Sequence, residues 1–364
     1  MRVPAAFDIF CTVVDNYGDV GVTWRLSRQL VAEHGARVRL WIDHLPSLSR
    51  LRPEIDPWQE TQELEGVEVR RWTQRFPPTP PGDVVIEAFA CELPGTVVDA
   101  MSHRQPTPVW INLEYLSAED WVAGTHGLPS PHPRLPLTKH FFVPGFVERS
   151  GGLLRERGLL ARRNAFRRNS DSCDALLASL GAQRSEGALL VSLFCYPAAP
   201  LPELVHALGG SPLPVTVLAF DGPWLGDVKR SFRSGRLDFH VVPFVTQDMY
   251  DQVLWACDLN FVRGEDSFVR ALWAGKPFVW APYRQDQGAH LEKLDAFLAI
   301  FEAPGELRDF TRFWNGAGSV RGSWPALASH LPDIAAHARE RAAEWARQED
   351  LASRLVKFCA ARLK

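Results

Sequence analysis

Short apolar runs alternate with helix-length amphipathic stretches along this chain, and the alternation occurs twice within 364 residues. Residues 7–14 read as a buried strand, 20–34 as an amphipathic helix and 38–42 as the next strand, which is a βαβ opening. Further strands are expected at 67–72, 84–87 and 109–112, separated by turns such as 77–82, where every residue but Thr79 is Pro or Gly. A chain patterned in this way builds a mostly parallel sheet with helices on both faces.

The second cycle starts near Ala188. Strands are expected at 189–196, 215–220, 237–244, 259–262 and 277–282, with helices at 202–208, 247–256 and 267–274 between them. Before it, the proline-rich stretch 129–136 is expected to be a loop, because proline lacks the amide donor and restricts its predecessor. Residues 139–146 read as the last strand of the first cycle, and the arginine-rich stretch to about Ser185 as a connector with a solvated face. A chain of this length exceeds what one hydrophobic core usually supports, so two domains with a cleft between them are expected. Their bounds are placed at 1–165 and 166–340, with a helix at 341–364 expected to cross back to the first domain.

Composition narrows the classes of function. The net charge is −3, and no Lys/Arg run is long enough to serve as a nucleic-acid footprint, so no nucleic-acid partner is expected. The six cysteines are scattered singly and the histidines form no metal-ligand array, so reduced thiols and no metal are expected. His126, His132, His140 and His290 are each read as surface or core residues. No apolar run approaches a membrane span and the first residues lack a secretory pattern, which points to a cytoplasmic protein with no membrane partner.

Three constellations carry candidate chemistry. In VVDNYGDVGVTWRLSRQL (13–30), a turn holding Asp15, Tyr17, Gly18 and Asp19 lies between a strand end and a helix, where open α/β sheets bind ligands. A carboxylate there can act as a general base; the plainer explanation is that one of the two aspartates caps the helix. In FVRGEDSFVRALWAGKPFVWAPYRQDQGAH (261–290), Arg263, Gly264, Glu265, Asp266 and Ser267 again join strand to helix. The helix amides near Ser267 are suited to a phosphate, with Arg263 and Arg270 supplying positive charge and a polar loop at 283–287 nearby. Phe194, Tyr196 and Phe244 at strand ends can stack on a nucleobase, and Gln247 can bond a base edge, although aromatics there are more often core.

These segments, together with FFVPGF, SLFCY, FVTQDMYDQVLW and CDLNFVRGED, resemble the protein-arginine rhamnosyltransferases of elongation factor P, the EarP family, over nearly the whole chain. The resemblance implies an α/β protein of the GT-B glycosyltransferase fold, with two Rossmann-like domains facing across a cleft. It implies a metal-independent, inverting transfer of L-rhamnose from dTDP-β-L-rhamnose to a guanidinium nitrogen of an arginine in elongation factor P, with no cofactor besides that donor. By motif position, Asp19, Asp15 and Glu265 become catalytic, with Asp19 the preferred base. Tyr17, Gly18, Phe194, Tyr196, Phe244, Gln247, Arg263, Glu265, Asp266 and Ser267 become the nucleotide-sugar contacts. Two other readings stand beside this one. A transferase or epimerase using another sugar nucleotide would offer little reason for paired acids. A non-catalytic nucleotide-sugar-binding protein would use Asp15 and Asp19 as caps only.

Overall fold

The computed structural model describes residues 3–226, 228, 231–285, 288–316 and 320–363. Of the polar loop expected at 283–287, Asp286 and Gln287 lie outside the described residues. The chain divides into two compact units, Met1–Arg157 with Gln348–Lys364, and Gly158–Arg347.

The first unit contains β1 (Ala6–Cys11), α1 (Tyr17–His34), β2 (Arg37–Ile42), α2 (Leu45–Leu51), β3 (Thr61–Leu64), β4 (Val67–Arg71), β5 (Val84–Ala88), α3 (Gly95–His103), β6 (Val109–Leu113), α4 (Trp121–Thr125), β7 (Pro129–Pro131) and β8 (Thr138–Phe142). The second contains α5 (Leu159–Arg168), α6 (Ser170–Ser179), β9 (Leu189–Leu193), α7 (Leu201–Gly209), β10 (Val215–Phe220), β11 (Phe232–Ser234), β12 (Leu237–Val242), α8 (Gln247–Ala256), β13 (Leu259–Arg263), α9 (Asp266–Ala274), β14 (Phe278–Ala281), α10 (Ala289–Ile300), α11 (Gly305–Trp314) and α12 (Val320–Trp345). The last helix, α13 (Leu351–Ala360), belongs to the first unit.

The first sheet runs β3-β4-β2-β1-β5-β6-β8-β7, parallel except where β3 and β7 pair antiparallel at its two edges. Chain order moves outward from β1 to β2 and β4, then returns to β5 on the other side of β1. The β1/β5 boundary is therefore a topological switch point, where open sheets leave a crevice beyond the strand ends. Register aligns Cys11 with Ala88 and Ala88 with Leu113, so the segments after β1, β5 and β6 leave the sheet at one level. The central strands are buried on both faces, as a parallel sheet under helices requires. Even Glu87 of β5 is enclosed; Lys139 of β8 pairs with it, while burial still pushes its carboxyl upward. Val20, Trp24 and Leu30 face α1 inward with no exposed area, and Gly35 ends that helix in the left-handed region that favours glycine.

The second sheet runs β11-β12-β10-β9-β13-β14, with β11 antiparallel at the edge and a switch point at β9/β13. Arg270 of α9 is buried and forms a bidentate pair with Asp251 of α8, 2.8 Å from Nε to Oδ1 and 2.6 Å from Nη2 to Oδ2.

Several expectations are corrected. The first strand stops at Cys11, so residues 12–16 form a longer loop than the strand at 7–14 allowed. Pro129–Pro131 is not loop but an exposed edge strand, a place where a missing amide donor costs no ladder bond. The strand at 139–146 ends at Phe142. The arginine-rich connector is two helices, α5 and α6, and its face is not simply solvated. Arg163 donates to the Trp273 carbonyl at 2.6 Å and Arg167 to that of Ala274, placing two cations on the negative end of α9. Arg270, expected beside a phosphate, serves the α8–α9 contact instead. The helical tail breaks at 346–350 between α12 and α13; Leu351 donates to Leu153, and Phe358 packs on Phe142 in the first unit. His126 is a core histidine, its Nδ1 accepting from the Val143 amide, and burial holds its pKa down to about 4.

Arg270→Ala should destabilise the second unit by about 3–5 kcal/mol, because it leaves the Asp251 carboxylate buried without its guanidinium. Replacing both partners, Arg270→Met with Asp251→Leu, should recover most of that loss in denaturant unfolding.

Candidate active site

In the first unit the site is built on the turn between β1 and α1. Asp19 is the third residue of α1, and its carboxylate folds back over the residues that precede the helix. Oδ2 accepts the amides of Val14 at 2.8 Å and Asp15 at 2.7 Å, while Oδ1 accepts the Tyr115 hydroxyl at 3.1 Å. Neither aspartate stands at the helix cap; Asn16 does, and its side chain makes no capping bond. Asn16 has φ 39°, and its Oδ1 accepts instead from Ser47 of α2 at 2.8 Å. A residue satisfied in another direction tolerates this rare conformation, and asparagine does so better than most.

Asp19 is 1% exposed and Asp15 is 8% exposed. Burial raises the Asp19 carboxyl from its ordinary value of 3.8, the two amides and Tyr115 oppose the rise, and Asp43 beyond β2 adds to it. Asp43 is itself fixed there by the Val13 amide, 2.9 Å from Oδ1. The Asp15 carboxylate lies over Gly18. A Cβ at that glycine would come within 2.6 Å of Asp15 Oδ2, so the bare helix position is what lets the acid lie there.

In the second unit the site is built on the turn between β13 and α9. Gly264 has φ 62°, and its carbonyl accepts the Trp280 indole N–H at 2.8 Å, pinning the turn to the neighbouring strand. The Ser267 hydroxyl closes the same turn: it accepts the Arg263 amide at 3.1 Å and donates to the Arg263 carbonyl. Glu265, the residue at the helix cap, makes no side-chain capping bond; its carboxylate pairs with Lys293 of α10 at 2.7 Å. The Gln247 amide donates to Asp266 Oδ2 at 2.9 Å. Arg263 extends across the end of β9, with its guanidinium 4.4 Å from the Phe194 ring centre and 4.6 Å from that of Tyr196. Phe194 meets Phe244 edge-on at 6.3 Å, and Tyr196 meets Tyr283 at 5.9 Å.

The second unit thus brings Phe194, Tyr196, Phe244, Gln247, Arg263, Glu265, Asp266 and Ser267 together at the ends of β9, β12 and β13. Tyr17 and Gly18 lie in the first unit beside Asp15 and Asp19. Sequence reasoning missed Tyr115, Phe89 and Asp43 in the first unit and Lys293 in the second. Tyr115 and Phe89 had a signal available, since each follows closely on a strand that the apolar pattern already identified. Among the described residues, no group of three or more His, Cys, Asp or Glu is placed to hold a metal ion, and no helix is long and apolar enough to cross a membrane.

Two doubly wound sheets of this order, each with a polar turn at its switch point, define a glycosyltransferase of the GT-B fold. Solved structures with TM-scores above one half agree on the fold alone: the spinosyn rhamnosyltransferase SpnG (0.56, 12% identical, 98% of this chain and 100% of that one) and a UGT transferase from Siraitia grosvenorii in complex with UDP (0.53, 11% identical, 99% and 100%).

The chain belongs to the EarP family: the family model described as elongation factor P rhamnosyltransferase EarP matches residues 7–360. It is 48% identical to the protein-arginine rhamnosyltransferase of Pseudomonas putida, over 97% of this chain and 98% of the other. It is also 48% identical to that of Pseudomonas aeruginosa, over 98% and 99%. A structure solved for EarP-mediated arginine glycosylation of translation elongation factor EF-P matches with a TM-score of 0.68 at 36% identity, over 99% of this chain and 100% of that one.

Gly18→Ala should leave stability within about 1 kcal/mol, since alanine is a better helix former than glycine. With Asp15 in the working part of the site, it should lower glycosyl transfer by about 10²-fold, the cost of a displacement of about 1 Å there. Thermal melting and a transfer assay on one preparation measure both.

Proposed function

We propose that this enzyme transfers L-rhamnose from dTDP-β-L-rhamnose to a guanidinium nitrogen of an arginine in elongation factor P, with inversion to an α-linked product. The observation that carries the reading is the buried, amide-anchored carboxylate of Asp19, with Asp15 beside it, at the switch point of the first sheet. Two acids in a poorly solvated turn suit a cationic nucleophile, because the local dielectric strengthens their attraction for it. Asp19 takes the proton as the carbon–nitrogen bond forms, and Asp15 holds the cation.

The turn of the second unit suits the donor. The first-turn amides of α9, at Asp266 and Ser267, face an anion with no capping side chain from Glu265 over them, and Arg263 adds positive charge. As the diphosphate departs, those groups stabilise its growing charge without a metal. Phe194, Tyr196, Phe244 and Gln247 surround the thymine and its neighbouring sugar, and Glu265 contacts the ribose and diphosphate. By motif position, Tyr17 and Gly18 are further contacts to the donor. No cofactor beyond the donor enters this scheme, and the acceptor places the reaction in the cytoplasm.

Incubation with elongation factor P and dTDP-rhamnose in the presence of a chelator should add the mass of one deoxyhexose to the acceptor. An unchanged acceptor mass with folded partners overturns the substrate assignment. Asp19→Asn should lower transfer by about 10²–10⁴-fold, the usual contribution of a general base. The fold should persist in that variant: the amide oxygen can still accept the loop amides, and the Tyr115 hydroxyl can turn to accept. In the unsubstituted protein the ionised Asp19 carboxyl costs stability. Because burial raises the folded pKa above 3.8, the stability linked to this group is full below that value and lost as pH rises through the folded pKa.

A further inference from the structure

A carboxylate oxygen offers two lone-pair directions. Oδ2 of Asp19 uses both, on the amides of Val14 and Asp15. Oδ1 uses one, on the Tyr115 hydroxyl. Building on the transferase reading, we propose that Tyr115 is a positioning residue of the reaction. Its hydroxyl occupies one direction on Asp19 Oδ1 and leaves the other as the single path along which the acceptor's proton is taken.

The ring of Tyr115 is held in place for this task. It stacks on Phe89 with centres 4.4 Å apart and planes at 13°. Phe89 and Ala90 follow β5 with φ of 59° and 55°, a conformation that residues with a side chain rarely adopt, and the Phe89 amide is tied to the Leu113 carbonyl at 2.7 Å. Paired strain of this kind persists only where neighbouring contacts over-determine it, and it gathers at functional sites. Here it sets a half-buried aromatic face between the ends of β5 and β6. The hydroxyl reaches the carboxylate as a consequence. A tyrosine needed only for packing would have no reason to spend its hydroxyl on the one carboxylate oxygen that the loop amides leave open.

The titratable groups around the Asp19 carboxylate are Asp15 in the turn, Cys11 on β1, Tyr115 beyond β6 and Asp43 beyond β2. Tyr115 holds the carboxyl down and Asp43 pushes it up. The base must be ionised, so transfer falls as pH drops through its pKa. Removing the phenol moves that acid limb to higher pH, and neutralising Asp43 moves it lower.

The test compares the full-length protein with Tyr115→Phe, using elongation factor P and dTDP-rhamnose. The expected result is a kcat about tenfold lower, with the acceptor KM within about twofold, on the scale of one hydrogen bond to a charged group. The acid limb should rise, and Asp43→Asn should shift it the opposite way. NMR titration of the Asp19 carboxyl without substrates should show the same rise in Tyr115→Phe. An active wild type whose Tyr115→Phe variant keeps both kcat and acid limb overturns the role of Tyr115. A rise in the NMR titration with kcat unchanged overturns it equally. A wild type that transfers nothing counts against the transferase reading instead, and the NMR titration still decides whether the phenol acts on the carboxyl.

Discussion

Two amide hydrogens on a single carboxylate oxygen determine the shape of the acidic turn. Asp19 Oδ2 gathers the backbone of Val14 and Asp15 beneath the first turn of α1. The same turn holds Asn16 at a positive φ, the Gly18 amide on the Asp15 carbonyl at 2.7 Å, and the Asp15 side chain over Gly18. The question of cap or catalyst therefore has a mixed answer. The carboxylate does structural work with one oxygen, while the other accepts the Tyr115 hydroxyl and on the proposed reading serves the chemistry. The positive end of α1 lies beneath it, which offsets part of the cost of burying an ionised group.

The second unit divides its charges by the same logic. Arg263 and Arg270 lie seven residues apart in one motif, and the pattern alone made both suitable for a phosphate. Only Arg263 stands at the strand end. Arg270 is a turn further into α9, on the side that packs against α8, and there a guanidinium survives only as a paired ion. The Ser267 hydroxyl is likewise spent within the turn, so the helix offers an anion its backbone amides. Arg163 and Arg167 hold the opposite end of α9 through its last carbonyls.

What was legible in the sequence was whatever local pattern decides. The strand runs, the helix after Asp19, the helix after Glu265 and the glycine turns between them are set by periodicity and backbone sterics, and the structure places them with shifts of a few residues. What was not legible depends on contacts between distant segments. Nothing near Arg270 in sequence announces Asp251, nothing near Glu265 announces Lys293, and the arginines of α5 reveal their use only when the end of α9 lies against them. Tyr115 is an intermediate case. The register that sets Leu113 beside Ala88 and Ala88 beside Cys11 also brings the second residue after β6 to the acidic turn, so counting strand ends across the sheet would have found it.

On the proposed reading, the acidic turn faces a problem of magnitude. A guanidinium with a pKa above about 12 lies roughly eight units above an ordinary aspartate, so removing its proton before attack would cost about 11 kcal/mol. Burial of Asp19 narrows that gap without closing it. Proton loss is therefore better placed late, once the attacking nitrogen has begun to bond to carbon and its remaining hydrogens have become acidic. A base used late needs less strength than aim. The geometry fits that demand: one oxygen is fixed by two amides, the other is set by a stacked phenol, and the adjoining Asp15 lies over a glycine that lets it approach. Rigid placement of the acceptor atom, rather than an extreme pKa, is what this turn is built to supply.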